Sequence, residues 1–156
     1  MFLPIAIAAL IFIFTPAEKN SRQKDFVQIR VAETALMKGK KNLIRIEVMV
    51  QDGYHIQANK VNDESLIPAR LEFSPHPDFT IDPPVFPRYK LFRLQGTDDD
   101  LNVFDGKFEI KVPVKAVKGT AAGKYVLKAA FRYQACDHKS CFFPRTINFE
   151  MAVMLK

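Results

Sequence analysis

Apolar and polar residues alternate with a period of two through much of this chain, and that restricts its fold more than any other feature. Residues 43–50 place Ile44, Ile46, Val48 and Val50 on one side and Arg45, Glu47 and Met49 on the other. Successive side chains of a strand leave on opposite faces, so the pattern predicts an extended strand with one face buried. Residues 107–115 repeat it, with Phe108, Ile110, Val112 and Val114 against Lys107, Glu109, Lys111 and Lys115. Pro113 belongs to the outward set and lacks an N–H for a ladder, which predicts an edge strand or a bulge. Residues 124–135 and 142–153, rich in aromatic and branched side chains, predict two further long strands. Beyond the N-terminal apolar run, no segment carries a helical period.

Turn signals punctuate these strands at Lys38-Gly39, Asp52-Gly53, Asp105-Gly106 and between Gly119 and Gly123. Six of the ten prolines fall between Pro68 and Pro87, a density that excludes a central strand and predicts an extended, rigid connection. With 156 residues, the chain is long enough for one buried core and short for two. Several strands separated by turns, without helices, predict an all-β chain folded as an immunoglobulin-like antiparallel β-sandwich. There is no internal repeat and no low-complexity tract.

The first residues are apolar from Phe2 to Phe14 and turn polar at Glu18. A membrane-crossing helix needs roughly 20 apolar residues, so residues 1–17 are read as a signal peptide for export, leaving 18–156 as the domain. No Lys or Arg precedes the run, and Thr15-Pro16-Ala17 is a poor cleavage pattern. An uncleaved segment would act as a membrane anchor and make the chain a tethered assembly factor; otherwise no membrane contact is expected. The formal net charge of +6 raises the question of nucleic acid. Apart from Lys38, Lys40 and Lys41, however, most basic residues alternate with apolar ones as solvated strand faces do, so no nucleic-acid partner is expected.

An exported chain meets an oxidising compartment, where two cysteines can pair and persist. The two present, Cys136 and Cys141, flank Asp137-His138-Lys139-Ser140 between two predicted strands, which predicts a hairpin with a four-residue loop. Opposed residues of an antiparallel pair lie within bridging distance. Three uses of the pair follow. As a staple, closing about six residues gains roughly 2 kcal/mol, against nearly 5 for about 100 residues, so a local bridge is the weaker kind of brace. As an exchanging disulfide, its place at a hairpin tip gives a partner thiolate access to a sulfur. As metal ligands with His138, His55 or His76, the cysteines supply only one short-spaced pair where structural zinc usually takes two, so no metal is expected. His138 and Lys139 are either solvated turn residues or cations that favour a neighbouring thiolate. Neither a Gly-rich phosphate loop nor an acid pair suited to hydrolysis is present, so no cofactor is expected.

The run Tyr133-Gln134-Ala135-Cys136, four residues, then Cys141-Phe142-Phe143-Pro144 resembles the cysteine signature of the N-terminal periplasmic domain of the thiol:disulfide interchange protein DsbD family. Asp52-Gly53-Tyr54-His55-Ile56-Gln57-Ala58-Asn59 is similar to the segment in which that family's aromatics approach the cysteines, and Asn102-Val103-Phe104-Asp105-Gly106 to its capping loop. The resemblance spans roughly residues 25–153. It implies an immunoglobulin-like domain in the periplasm that relays electrons by dithiol–disulfide exchange, with no cofactor. Cys136 and Cys141 would be the catalytic pair, Cys141 forming the mixed disulfide and Cys136 resolving it. Phe104 would be the aromatic of the cap, and Tyr54 and Tyr133 would shield the cysteines; the alternative for all three is ordinary core packing. The implied partners are thioredoxin-fold proteins and, for a chain ending at Lys156, a separate membrane-embedded thiol reductase. The reading from another functional class is a non-catalytic interaction module whose bridge only stiffens the hairpin.

Overall fold

The computed structural model describes residues 25–98 and 100–156; the segment read as a signal peptide lies outside them. The strands, in chain order, are β1 (Val27–Val31), β2 (Thr34–Leu36), β3 (Lys41–Val50), β4 (His55–Gln57), β5 (Arg70–Phe73), β6 (Phe79–Ile81), β7 (Lys90–Arg93), β8 (Asp100–Phe104), β9 (Lys107–Ala116), β10 (Gly123–Tyr133), β11 (Ala135–Cys136) and β12 (Arg145–Leu155). No helix occurs among the described residues. The chain builds the expected immunoglobulin-like sandwich. One sheet has the order β1-β3-β9-β6 and the other β2-β12-β10-β5. All the ladders are antiparallel except β2–β12.

The alternation decides which faces meet. Ile44, Ile46, Val48, Ile110, Val112 and Val114 from the first sheet join Leu127, Phe131, Met151 and Val153 from the second in one buried cluster. The outward set is charged and paired across strands: Arg45 bonds Glu109 at 2.6 Å and Lys107 bonds Glu47 at 2.5 Å. Exposed pairs of this kind contribute about 0–1 kcal/mol each, so the sandwich is held by its apolar interior. Within the lysine group, Lys41 is paired with Asp82.

Two expectations change. The proline-rich stretch is not a plain connection, because it carries β5 and β6, each at the edge of a sheet. Pro68, Pro75, Pro77, Pro83 and Pro84 flank these strands rather than interrupt them, as residues without an N–H must. Pro113, expected at an edge or bulge, lies on the interior strand β9, at a gap in its pairing. β6 ends at Ile81, Pro83 and Pro84 follow, and pairing resumes only at Val85 with Lys111.

A third sheet, β11-β4-β8-β7, had no counterpart in the sequence reading. The long hairpin expected from 124–135 and 142–153 breaks at Gln134. β10 pairs with β12 up to Tyr133–Arg145, after which β11 leaves that sheet and pairs with β4. The turns at its rim require Gly53 and Gly106, whose φ of +81° and +56° lie in the left-handed region. The Val50 N–H donates to the Gly106 carbonyl at 2.8 Å, holding the two turns side by side.

Candidate functional site

Cys136 and Cys141 are joined by a disulfide, with Cα atoms 3.9 Å apart. They face each other as an antiparallel bridge pair, as the four-residue loop predicted. The loop is self-braced: Asp137 N–H donates to the Ser140 carbonyl at 2.9 Å, and Phe142 N–H to the Ala135 carbonyl at 2.8 Å. The Asp137 carboxylate accepts from Lys139 N–H at 2.7 Å and Ser140 N–H at 2.8 Å, and these bonds hold its pKa below the usual carboxylate value. His138 and Lys139 are exposed.

The accessible tip expected from the sequence is only half accessible. Cys136 is 0 % exposed, while Cys141 is partly exposed. Cys136 owes its burial to the third sheet. It pairs with His55, and the neighbouring Ala135 pairs with Ile56; opposed residues share a face and successive ones alternate. Ala135 and Ile56 therefore join the main core, while Cys136, His55 and Gln57 occupy the opposite face.

The β7–β8 hairpin extends the same sheet beyond β4 and reaches the cysteine loop. Phe92 of β7 stacks on His55 with ring centroids 3.9 Å apart, and at the tip Gln95 N–H donates to the His138 carbonyl at 3.0 Å. Hairpin and cysteine loop are thus in direct contact.

The structure places the three aromatics named from the sequence differently. Phe104 pairs with Ile56 and shares its core-facing side; it is 3 % exposed, stacks 6.0 Å from Phe86 and lies 4.7 Å from Phe108. It faces away from Cys136, and the aromatic on the cysteine side is Phe92. Tyr133 is also in the core, stacked 5.9 Å from Phe131; burial raises its phenol pKa, opposed by Arg145. Tyr54 is half-buried in a cluster with Phe26 at 4.7 Å and Phe142 at 6.1 Å, which places it beside the residue that follows Cys141.

Gln57 and Gln134 are polar groups to which the sequence reading gave no role. Gln57 is fully buried, and its Nε2 lies 3.2 Å from Cys136 Sγ and 3.7 Å from Cys141 Sγ. Its backbone N–H donates to the Gln134 carbonyl at 2.9 Å. The Gln134 side chain donates to the Phe142 carbonyl at 3.1 Å and accepts from Ile67 N–H at 2.8 Å, clamping the chain where β11 turns into the third sheet. A glutamine two residues before Cys136 was visible in the sequence, but the atoms it would bond were not.

His55 is buried, and its Nε2 has no hydrogen-bond partner among the described residues. Burial lowers its pKa, opposed by Asp105 and Asp137. Because the folded value lies below the unfolded value of about 6.5, the unfolded chain binds the proton first. Stability is therefore complete above about pH 6.5 and falls as pH drops toward the folded value. Urea midpoints at pH 8 and pH 5.5 are expected to show this loss, and His55→Phe is expected to flatten it; an unchanged difference in that variant rejects the assignment. Among the described residues no group of three or more His, Cys, Asp or Glu is placed to hold a metal ion. His76 packs instead on Phe79 and Tyr125.

The sequence profile of the family described as "Thiol:disulfide interchange protein DsbD, N-terminal" matches residues 23–152. No curated protein matches the chain. Among solved structures, the N-terminal periplasmic domain of ScsB from Proteus mirabilis is similar at 15% identity and a TM-score of 0.51, over 84% of this chain and 50% of that one. This chain thus spans half the length of that structure, and at such identity the likeness concerns the fold. The reduced Neisseria meningitidis DsbD N-terminal domain aligns over 70% of this chain and 75% of that one, at 15% identity and a TM-score of 0.44.

Proposed function

We propose, from the premise that this chain belongs to the family of the N-terminal domain of the thiol:disulfide interchange protein DsbD, that it is a periplasmic dithiol–disulfide relay domain working through Cys136 and Cys141. The observation that carries the reading is the asymmetry of the bridge: Cys136 is wholly buried and Cys141 partly exposed. Exchange proceeds by attack of a thiolate along the S–S axis on one sulfur. A bridge with a single approachable end directs that attack to Cys141 and makes Cys136 the leaving and resolving thiol.

In the direction that reduces this bridge, a partner thiolate bonds to Cys141 Sγ, the S–S bond breaks and its electron pair leaves on Cys136. The partner's second thiolate then attacks its own sulfur in the mixed disulfide, the second pair leaves on Cys141, and two protons convert the thiolates to thiols. The partner dithiol is oxidised and this bridge reduced; the reverse sequence passes the electrons on. The partners in this reading are thioredoxin-fold proteins, with a membrane-embedded thiol reductase as the source of electrons. Residues 1–17 are the export signal, and 18–156 the working domain. The β7–β8 hairpin, with Phe92 over His55 and Gln95 on the cysteine loop, limits access by bystander thiols.

The test is to mix the reduced protein with an oxidised thioredoxin-fold protein and follow both by mass spectrometry, with the bridge potential measured in glutathione buffers. Equimolar two-electron transfer and a potential above about −300 mV are expected. A potential well below about −300 mV, with no transfer in either direction, would assign the bridge to stiffening the hairpin.

A further inference from the structure

Gln57 is a polar side chain placed, fully buried, against a pair of sulfurs. A disulfide sulfur carries no proton and can only accept, so the carboxamide must turn its NH2 toward the bridge. Its oxygen is then left over: Gln57 Oε1 is buried and accepts no hydrogen bond among the described residues. A buried acceptor without a donor is destabilising, and here the deficit belongs to the oxidised state. Reduction changes the inventory, because each new thiol brings an S–H donor and each thiolate a stronger acceptor than a disulfide sulfur. Rotation of the carboxamide about its last torsion presents either atom to the cysteines.

We propose that Gln57 sets the redox poise of the pair: its N–H stabilises the thiolate that leaves on Cys136, and its oxygen, orphaned while the bridge is closed, accepts a hydrogen bond from the Cys141 thiol that reduction creates. This rests on the exchange reading above and adds a determinant to it. Cys136 sits where no solvent reaches it, so the charge that arrives there when Cys141 is attacked is received by the protein. The Gln57 amide at 3.2 Å is the donor in place. Gln57 therefore favours the reduced form and lowers the Cys136 thiol pKa.

The experiment compares the wild-type chain with Gln57→Met, which keeps the side-chain length and removes both polar atoms. Bridge potentials are measured in dithiothreitol buffers, so no protein partner need be known, and the Cys136 thiol is titrated through its 13Cβ shift in the reduced protein. The variant is expected to be about tenfold harder to reduce, which is about 30 mV more negative, and its Cys136 thiol to titrate at higher pH. A wild-type bridge that dithiothreitol cannot reduce reversibly sinks the exchange reading itself. A wild-type bridge that cycles while the variant matches it within twofold, or becomes easier to reduce, overturns the role of Gln57 alone. Should Gln57→Met fail to fold, the wild-type side-chain amide is read directly by NMR. Resonances that move on reduction and titrate with Cys136 support the proposal, and resonances that do neither overturn it.

Discussion

Cys136→Ser is expected to turn the protein into a covalent trap, with thioredoxin-fold partners accumulating as mixed disulfides on Cys141, while Cys141→Ser accumulates none. The difference should be all-or-nothing rather than graded. In Cys136→Ser the remaining thiol is the partly exposed one, and the residue that would release the partner is gone. In Cys141→Ser the remaining thiol is the fully buried one, and no partner disulfide can reach it in the folded state. Non-reducing electrophoresis of periplasmic extract after thiol quenching gives the readout. Equal trapping by both variants, or trapping through Cys136 alone, would reverse the assigned roles.

Phe131→Ala is expected to destabilise the domain by about 3–5 kcal/mol, the range for emptying a large aromatic site in a packed core. Phe131 is completely buried, opposite Ile147 on β12 and Leu71 on β5, with Tyr133 stacked 5.9 Å away. It stands at the middle of the second sheet, where neighbours on both sides are fixed by ladders and cannot collapse into the space. A domain of this size has about 5–15 kcal/mol in all, so the urea midpoint should fall by about a fifth or more. A loss under about 1 kcal/mol would mean that the site repacks. The bridge potential of the folded fraction should stay close to wild type, since Phe131 faces the main core and the sulfurs do not.

What could be read in the sequence follows from how far each signal reaches along the chain. The strands at 43–50 and 107–115 were legible because the period of two is a property of the extended backbone itself. The cysteine hairpin was legible because its loop is four residues long. The third sheet was not: β4 and β11 are three and two residues long, too short to show a period, and their partners, Ile56 with Ala135 and His55 with Cys136, lie far apart along the chain. For Phe104 the resemblance implied a cap and core packing was the alternative; a shift of one residue in a ladder reverses the face, and pairing with Ile56 rather than His55 puts it in the core. Phe92, the aromatic over His55, sits in the short run Lys-Leu-Phe-Arg, where nothing local distinguishes it.

Alternation and loop length are local quantities, so an antiparallel β-sandwich and two cysteines close enough to bond were legible from the residues alone. The difference between the two cysteines, Cys136 buried against the Gln57 amide and Cys141 partly exposed, arises only in the packed molecule. The physical reason is that burial and hydrogen bonding of a sulfur depend on which strand lies beside it and on which face. That choice is made where Gln134 bends the chain out of one sheet into another.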